Sequence, residues 1–202
     1  MNQFKTGFSP TLLDIDNKII NQITTSTHLL EISLPANSKE NIELELYAVN
    51  IFAPEFKVVN GKGDEVPYTK GLHFHGRIKG NTNSIAAISI TNGEVSGLIS
   101  DKTGDRMLKK HSNNIYSLYY EQGLVNQLPF KCEIVGETIP ARNSNSSTRI
   151  NGVVSCKVVN IYIEADHKLY NDNGESISAT TNLVTQLFNQ VAVLYKNENL
   201  GI

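Results

Sequence analysis

Two histidines one residue apart, His73 and His75, stand in the stretch "HFHGRIKG", and two cysteines, Cys132 and Cys156, lie further along the chain. Imidazole and thiolate are the side chains zinc favours, and a zinc site forms where three or four such groups converge. On a strand, residues two apart share a face. Alternation therefore groups His73 and His75 with Arg77 and Lys79, and puts Phe74, Gly76 and Ile78 on the opposite face. Two fixed positive charges oppose a divalent cation beside the histidines. The pattern predicts scaffold, a strand carrying its histidines on a sheet surface. His28, His111 and His167 stand apart and read as surface or strand-end residues. The chain contains no H-E-x-x-H, C-x-x-C, G-x-S-x-G or P-loop, so no residue receives a catalytic role.

The elements around the histidines read mainly as strands. "THLLEISLP" and "NIELELYAVNIF" alternate, with Ile42, Leu44 and Leu46 on one side and Glu43, Glu45 and Tyr47 on the other. That suits half-buried antiparallel strands closed by Pro35 and Pro54. Asn60-Gly61 and Gly63-Asp64 are turn signals, and Asn92-Gly93 between "IAAISIT" and "EVSGLIS" is a strong hairpin signal. Gly76, Gly80 and Gly97 are expected to mark bulges or close packing, because no helix follows to complete a phosphate loop. From about Leu29 to Val135 the chain reads as a mostly antiparallel β domain.

Residues 136–152, "GETIPARNSNSSTRING", have almost nothing to bury and read as an exposed linker. Beyond it, "VVSCKVVNIYIEA" is expected to be one continuous strand, "DHKLYNDNGES" a loop, and Ser178 to Asn197 a helix. Val184, Leu187, Phe188, Val191, Leu194 and Tyr195 form its apolar stripe, with Ser178 or Thr180 as cap. One strand and one amphipathic helix leave edges and a stripe unburied, so the C-terminal part is expected to be a truncated domain.

Composition narrows the function classes. Eighteen basic residues against twenty acidic ones, net charge -2, argue against a phosphate-binding surface and so against nucleic acid. No run approaches the ~20 apolar residues of a membrane span. The opening "MNQFKTGFSPTLLDIDNKII" lacks the apolar core of a secretory signal. Two cysteines are too few for a disulfide-stapled scaffold.

The stretch "HFHGRIKGNTNSIAAISITNGEVSGLIS" closely resembles the prosegment of reprolysin/ADAM-type zinc metalloproteases. Those prosegments show a G-x-V/I-x-G core, a short polar gap, S-x-x-A-x-S, and a turn before G-L-I. Gly76, Ile78, Gly80, Ser84, Ala87, Ser89, Gly97, Leu98 and Ile99 fill that pattern here. The upstream "ELELYAVNIFAPEFKVV" is similar to the earlier strands of the same prosegment. After the linker, "VVNIYIEADHKLYNDNGESISATTNLVTQLFNQVAVLYKNENLGI" is similar to the first strand, "ADH" turn and first helix of the catalytic domain, in a bacterial-like form. Together the matches cover most of residues 42–202.

The resemblance implies an α+β chain in three parts: an antiparallel β-rich prosegment over 1–135, an exposed linker and processing region over 136–152, and an N-terminal fragment of the metalloprotease catalytic domain over 153–202, with the first strand and helix of a truncated α/β domain. It implies the N-terminal part of a secreted zinc metallopeptidase precursor, whose prosegment keeps the protease latent and assists its folding. The partner would be the catalytic domain of the same or a related protease. Zinc is implied by the family's H-E-x-x-H-x-x-G-x-x-H, which this chain does not contain. Cys132 becomes a candidate inhibitory zinc ligand, since a thiolate on a prosegment can fill the position that water needs; Glu133 follows it where the family has Gly. A Cys132–Cys156 disulfide and a plain thiol remain open as alternatives. Arg142 and Arg149 are candidate processing sites. Asn160 stands where the family often carries a calcium-binding Glu, a poorer ligand that leaves calcium doubtful. Asp166 matches the family but reads as a turn residue. The rival readings are a stand-alone β-rich binding module and a trans-acting protease inhibitor.

Overall fold

The computed structural model describes residues 4–37, 39–125 and 161–198. In chain order the elements are β1 (Thr11–Asp14), α1 (Asn17–Ile20), β2 (Leu29–Pro35), β3 (Asn41–Val49), β4 (Val58–Val59), β5 (Glu65–Val66), β6 (Leu72–Ile78), β7 (Ile85–Thr91), β8 (Glu94–Asp101), β9 (Gly104–Ser112), β10 (Ile115–Tyr120), α2 (His167–Asp172) and α3 (Ile177–Asn197). Eight strands form one sheet in the order β1-β10-β9-β8-β7-β6-β3-β2, and β4 and β5 make a separate small ribbon. Every pairing is antiparallel. The sheet curls into a half-barrel, and the Thr11 hydroxyl on one edge donates to the Ala36 carbonyl beside the other at 2.8 Å.

Period-two alternation explains the curl, because one set of side chains fills the concave side. Ile42, Leu44 and Leu46 of β3, Phe74 of β6, Ala86, Ile88 and Ile90 of β7, and Ile99 of β8 join a single buried cluster with Leu108, Tyr116 and Leu118. The Tyr116 hydroxyl accepts from the Val95 amide at 3.3 Å, so the buried ring's polar tip is paired. Asn92 (φ 51°) and Gly93 (φ 75°) both take left-handed backbone between β7 and β8, as a two-residue primed hairpin turn requires. Gly76 has a different reason. A Cβ there would strike the carbonyl of Glu45 on the neighbouring strand, so β3 and β6 approach only because position 76 is bare.

The fold class departs from expectation. The expected α+β chain, ending in the first strand and helix of a separate α/β metalloprotease domain, is not what forms; the protein is mostly antiparallel β. Residues 161–165 belong to no strand, and Ile161, Tyr162 and Ile163 are half or more exposed. A strand exists only where a neighbour accepts its ladder, and an apolar run supplies side chains to bury but no neighbour. The loop expected at 166–176 contains α2, which Asp166 caps by accepting from the Leu169 amide at 2.7 Å. α3 starts at Ile177 with Ser176 as its cap, rather than at Ser178. It lies against β6, β7 and β8 of the half-barrel. The sheet also begins earlier than Leu29, because β1 pairs with β10.

Gly76→Ala is expected to destabilise the protein by about 3 kcal/mol or more, since the obstacle is backbone that cannot rotate away. Leu12→Ala, at a 60% exposed position on β1, is expected to stay within about 0.5 kcal/mol. Urea midpoints for the two variants against the parent chain check both.

Candidate functional site

The sheet register sets up the site. His73 on β6 lies opposite Ser89 on β7, which lies opposite Ser96 on β8. One step along, Tyr47, His75, Ala87 and Leu98 form a second row across β3 to β8. Both histidines are on the convex side of the sheet, as alternation predicts, but they are not on the protein surface. α3 covers them, leaving His73 3% and His75 4% exposed.

The helix meets them with polar residues. Its buried positions are Thr180, Asn182, Thr185, Asn189, Ala192 and Val193, a stripe at helical spacing made mostly of small or uncharged polar side chains. Asn189 is fully buried at 0% exposure. Its amide nitrogen donates to the Ile88 carbonyl at 3.2 Å and to the Ser89 hydroxyl at 3.1 Å. The His75 Nε2–H donates to the Asn189 backbone carbonyl at 3.2 Å, the only direction open to a carbonyl. Ser89 Oγ, already accepting from Asn189, is 2.9 Å from His73 Nδ1. The hydroxyl can give its own proton to that nitrogen or accept a second hydrogen bond from it, according to the His73 tautomer. Further out, Tyr68 donates to Asn182 Oδ1 at 2.9 Å, and Gln186 donates to Thr91. Lys196 lies over the Tyr47 ring at 4.7 Å.

Four of the six residues of the apolar stripe face away, while Val184 and Phe188 are partly buried. Leu187, Val191, Leu194 and Tyr195 are 42–48% exposed, which reverses the usual arrangement of an amphipathic helix on its domain. The polar joint is also incompletely paired. His73 Nε2, His75 Nδ1, Asn189 Oδ1 and Ser96 Oγ are buried without a hydrogen-bond partner. Each such atom costs on the order of 1–3 kcal/mol.

Burial sets the electrostatics. It pushes the His73 imidazole down from its ordinary 6.5 to about 4, with the neighbouring His75 charge adding to the effect. His75 is also lowered, by burial first; its bonds to Asn189 oppose the shift and the Lys196 charge adds to it. Both rings are therefore neutral at neutral pH. An exposed histidine takes up a proton that the buried one refuses, so the closed arrangement is fully favoured above pH 6.5. That preference drains away as pH falls from 6.5 toward about 4. For His73 alone the loss is at most about 3 kcal/mol.

Arg77 and Lys79 are not unpaired charges beside the histidines, because they pair with Glu45 at 3.7 Å and Glu31 at 3.3 Å. No group of three or more His, Cys, Asp or Glu among the described residues could hold a metal ion, so the described part of the chain does not fit zinc. Ser89 and His73 have the spacing of a nucleophile and its base, but they are 2% and 3% exposed and His73 Nε2 has no carboxylate beside it. This pair is part of a joint.

Cys132, Arg142 and Arg149 lie outside the described residues, as do Cys156 and Asn160. Asp166 is the α2 cap, and His28, His111 and His167 are exposed. Sequence reasoning missed Asn182, Thr185, Gln186 and Asn189; the signal was a second stripe at spacings of three and four, polar yet uncharged. Among the described residues no helix is long and apolar enough to cross a membrane. Comparison with protein-family models, with curated proteins and with solved structures found no match.

The reversed helix makes an unusual mutational prediction. Asn189→Ala is expected to cost about 2 kcal/mol, because it removes two hydrogen bonds from a buried site. Leu187→Ala, at 48% exposure, is expected to cost less than about 1 kcal/mol. Urea unfolding followed by helix circular dichroism compares the two; the opposite ranking would mean that the apolar stripe faces inward.

Proposed function

We propose that this chain is the N-terminal part of a zinc metallopeptidase precursor, with a β-rich prosegment that keeps the protease latent and assists its folding. One observation supports the reading beyond the resemblance in sequence. The half-barrel grips α3 by its polar stripe and leaves Leu187, Val191, Leu194 and Tyr195 outward. α3 lies in the segment whose sequence resembles the start of the protease proper. A folding aid must hold its client without using up the apolar surface that the client's own core needs. Gripping the helix from behind meets that requirement.

In this reading the sheet domain is the holding element and residues 136–152 are the segment cut to separate it, with Arg142 and Arg149 as the candidate cleavage positions. Cys132, just ahead of that segment, is the candidate thiolate directed at the protease's zinc. The metal's own ligands would come from the H-E-x-x-H motif of the protease, which residues 1–202 do not contain.

Reading the gene past codon 202 tests the proposal. An in-frame H-E-x-x-H-x-x-G-x-x-H is expected, and a frame that closes without one contradicts the precursor. With that protease in hand, the purified chain is expected to inhibit it, and Cys132→Ser to inhibit at least tenfold less well. Equal inhibition by both would remove Cys132 from the mechanism.

A further inference from the structure

We propose that α3 is a proton-released clasp: protonation at the His73–His75 pair lifts the helix off β6–β8 while the half-barrel stays folded. The geometry supports this in three ways. The rings sit between helix and sheet, so any charge gained there is trapped at the joint. The joint holds through few direct bonds and leaves four buried polar atoms unpaired, so it opens more easily than the sheet's apolar cluster on the other face. The two faces are also independent, because the histidines share no side with Phe74 or Ile88.

Among the described residues, nothing around the rings would neutralise an imidazolium. Among the 21 residues of α3 the only charged side chain is Lys196, a cation. β7 and β8 face the rings with Ala87, Ser89, Thr91, Ser96 and Leu98. The preceding loop brings Tyr68 and the cation Lys70, which lies over Phe52 and Phe56. β3 brings Tyr47, while Glu45 is engaged with Arg77. Among the described residues, a proton at the pair therefore meets other positive charges and no carboxylate, which favours opening to water.

The biological sense of the clasp rests on the precursor reading: acid would loosen the prosegment's grip on the segment it holds, and regulate latency before or alongside cleavage. The physical event does not rest on that reading. Hydrogen exchange of the full chain, corrected for the intrinsic pH dependence of exchange, measures it directly. Protection of α3 amides is expected to fall by up to about a hundredfold between pH 6.5 and about 4, while β7 and β8 keep theirs. In the same window the ring proton resonances of both histidines are expected to shift together with the loss of α3 protection. His73→Gln combined with His75→Gln is expected to remove the pH dependence.

Three results would overturn the clasp: α3 protection that ignores pH, protection lost in step with the sheet, or imidazoles that titrate at ordinary values with the helix still docked. The last is read on the unmodified chain, so the test survives a double variant that fails to fold. Release without a downstream H-E-x-x-H would leave the clasp standing and remove the protease. The motif without release would do the reverse.

Discussion

The attachment of α3 centres on one residue. Asn189 is the point at which helix, β7 and the histidines of β6 meet: its side-chain amide bonds β7 twice, and its backbone carbonyl receives His75. The residues flanking it along the buried stripe, Thr185 and Ala192, are small, so the helix axis can come close enough for a side chain as short as asparagine to reach the sheet backbone. Bulkier residues there would hold the helix off and replace directional bonds with apolar contact. The chain instead makes a joint of specific polar contacts, which fixes position well and contributes little surplus stability.

The two sides of the sheet therefore do different work. The concave side is an ordinary apolar core that closes the half-barrel and sets its stability. The convex side, at β6 to β8, is a receptor surface of His, Ser and Thr matched to a polar helix face. A domain built only for stability would gain by turning Leu187, Val191 and Leu194 inward. That it presents them outward fits a sheet whose task is to hold a helix temporarily. The same neutral, poorly compensated histidines that bind the helix make the grip sensitive to protons, so holding and releasing would use one set of atoms.

Much of the sheet was legible because its determinants are local. Alternation in β3 and β6 and the Asn92-Gly93 turn each follow from a few adjacent residues. What failed needed a partner. The run at 153–165 had the composition of a strand, yet its described residues, 161–165, belong to no strand. β1 is only four residues long and exists because β10 offers it an edge. The histidines were placed on the right face, but burial of that face depends on a helix about 115 residues later in the chain. In α3 the apolar stripe was expected to be the covered face, yet Leu187, Val191, Leu194 and Tyr195 are exposed and only Val184 and Phe188 are partly buried. Periodicity says that a helix has two faces, and the sheet's own polar residues decide which one is covered.

The orientation of α3 is the central claim, and nuclear Overhauser contacts across the joint at neutral pH measure it most directly. The structure requires contacts from the His75 ring and the Ser89 protons to Asn189. Strong contacts from the sheet to Leu187 and Val191 in place of those to Asn189 would mean that the helix packs by its apolar side, and would contradict the account.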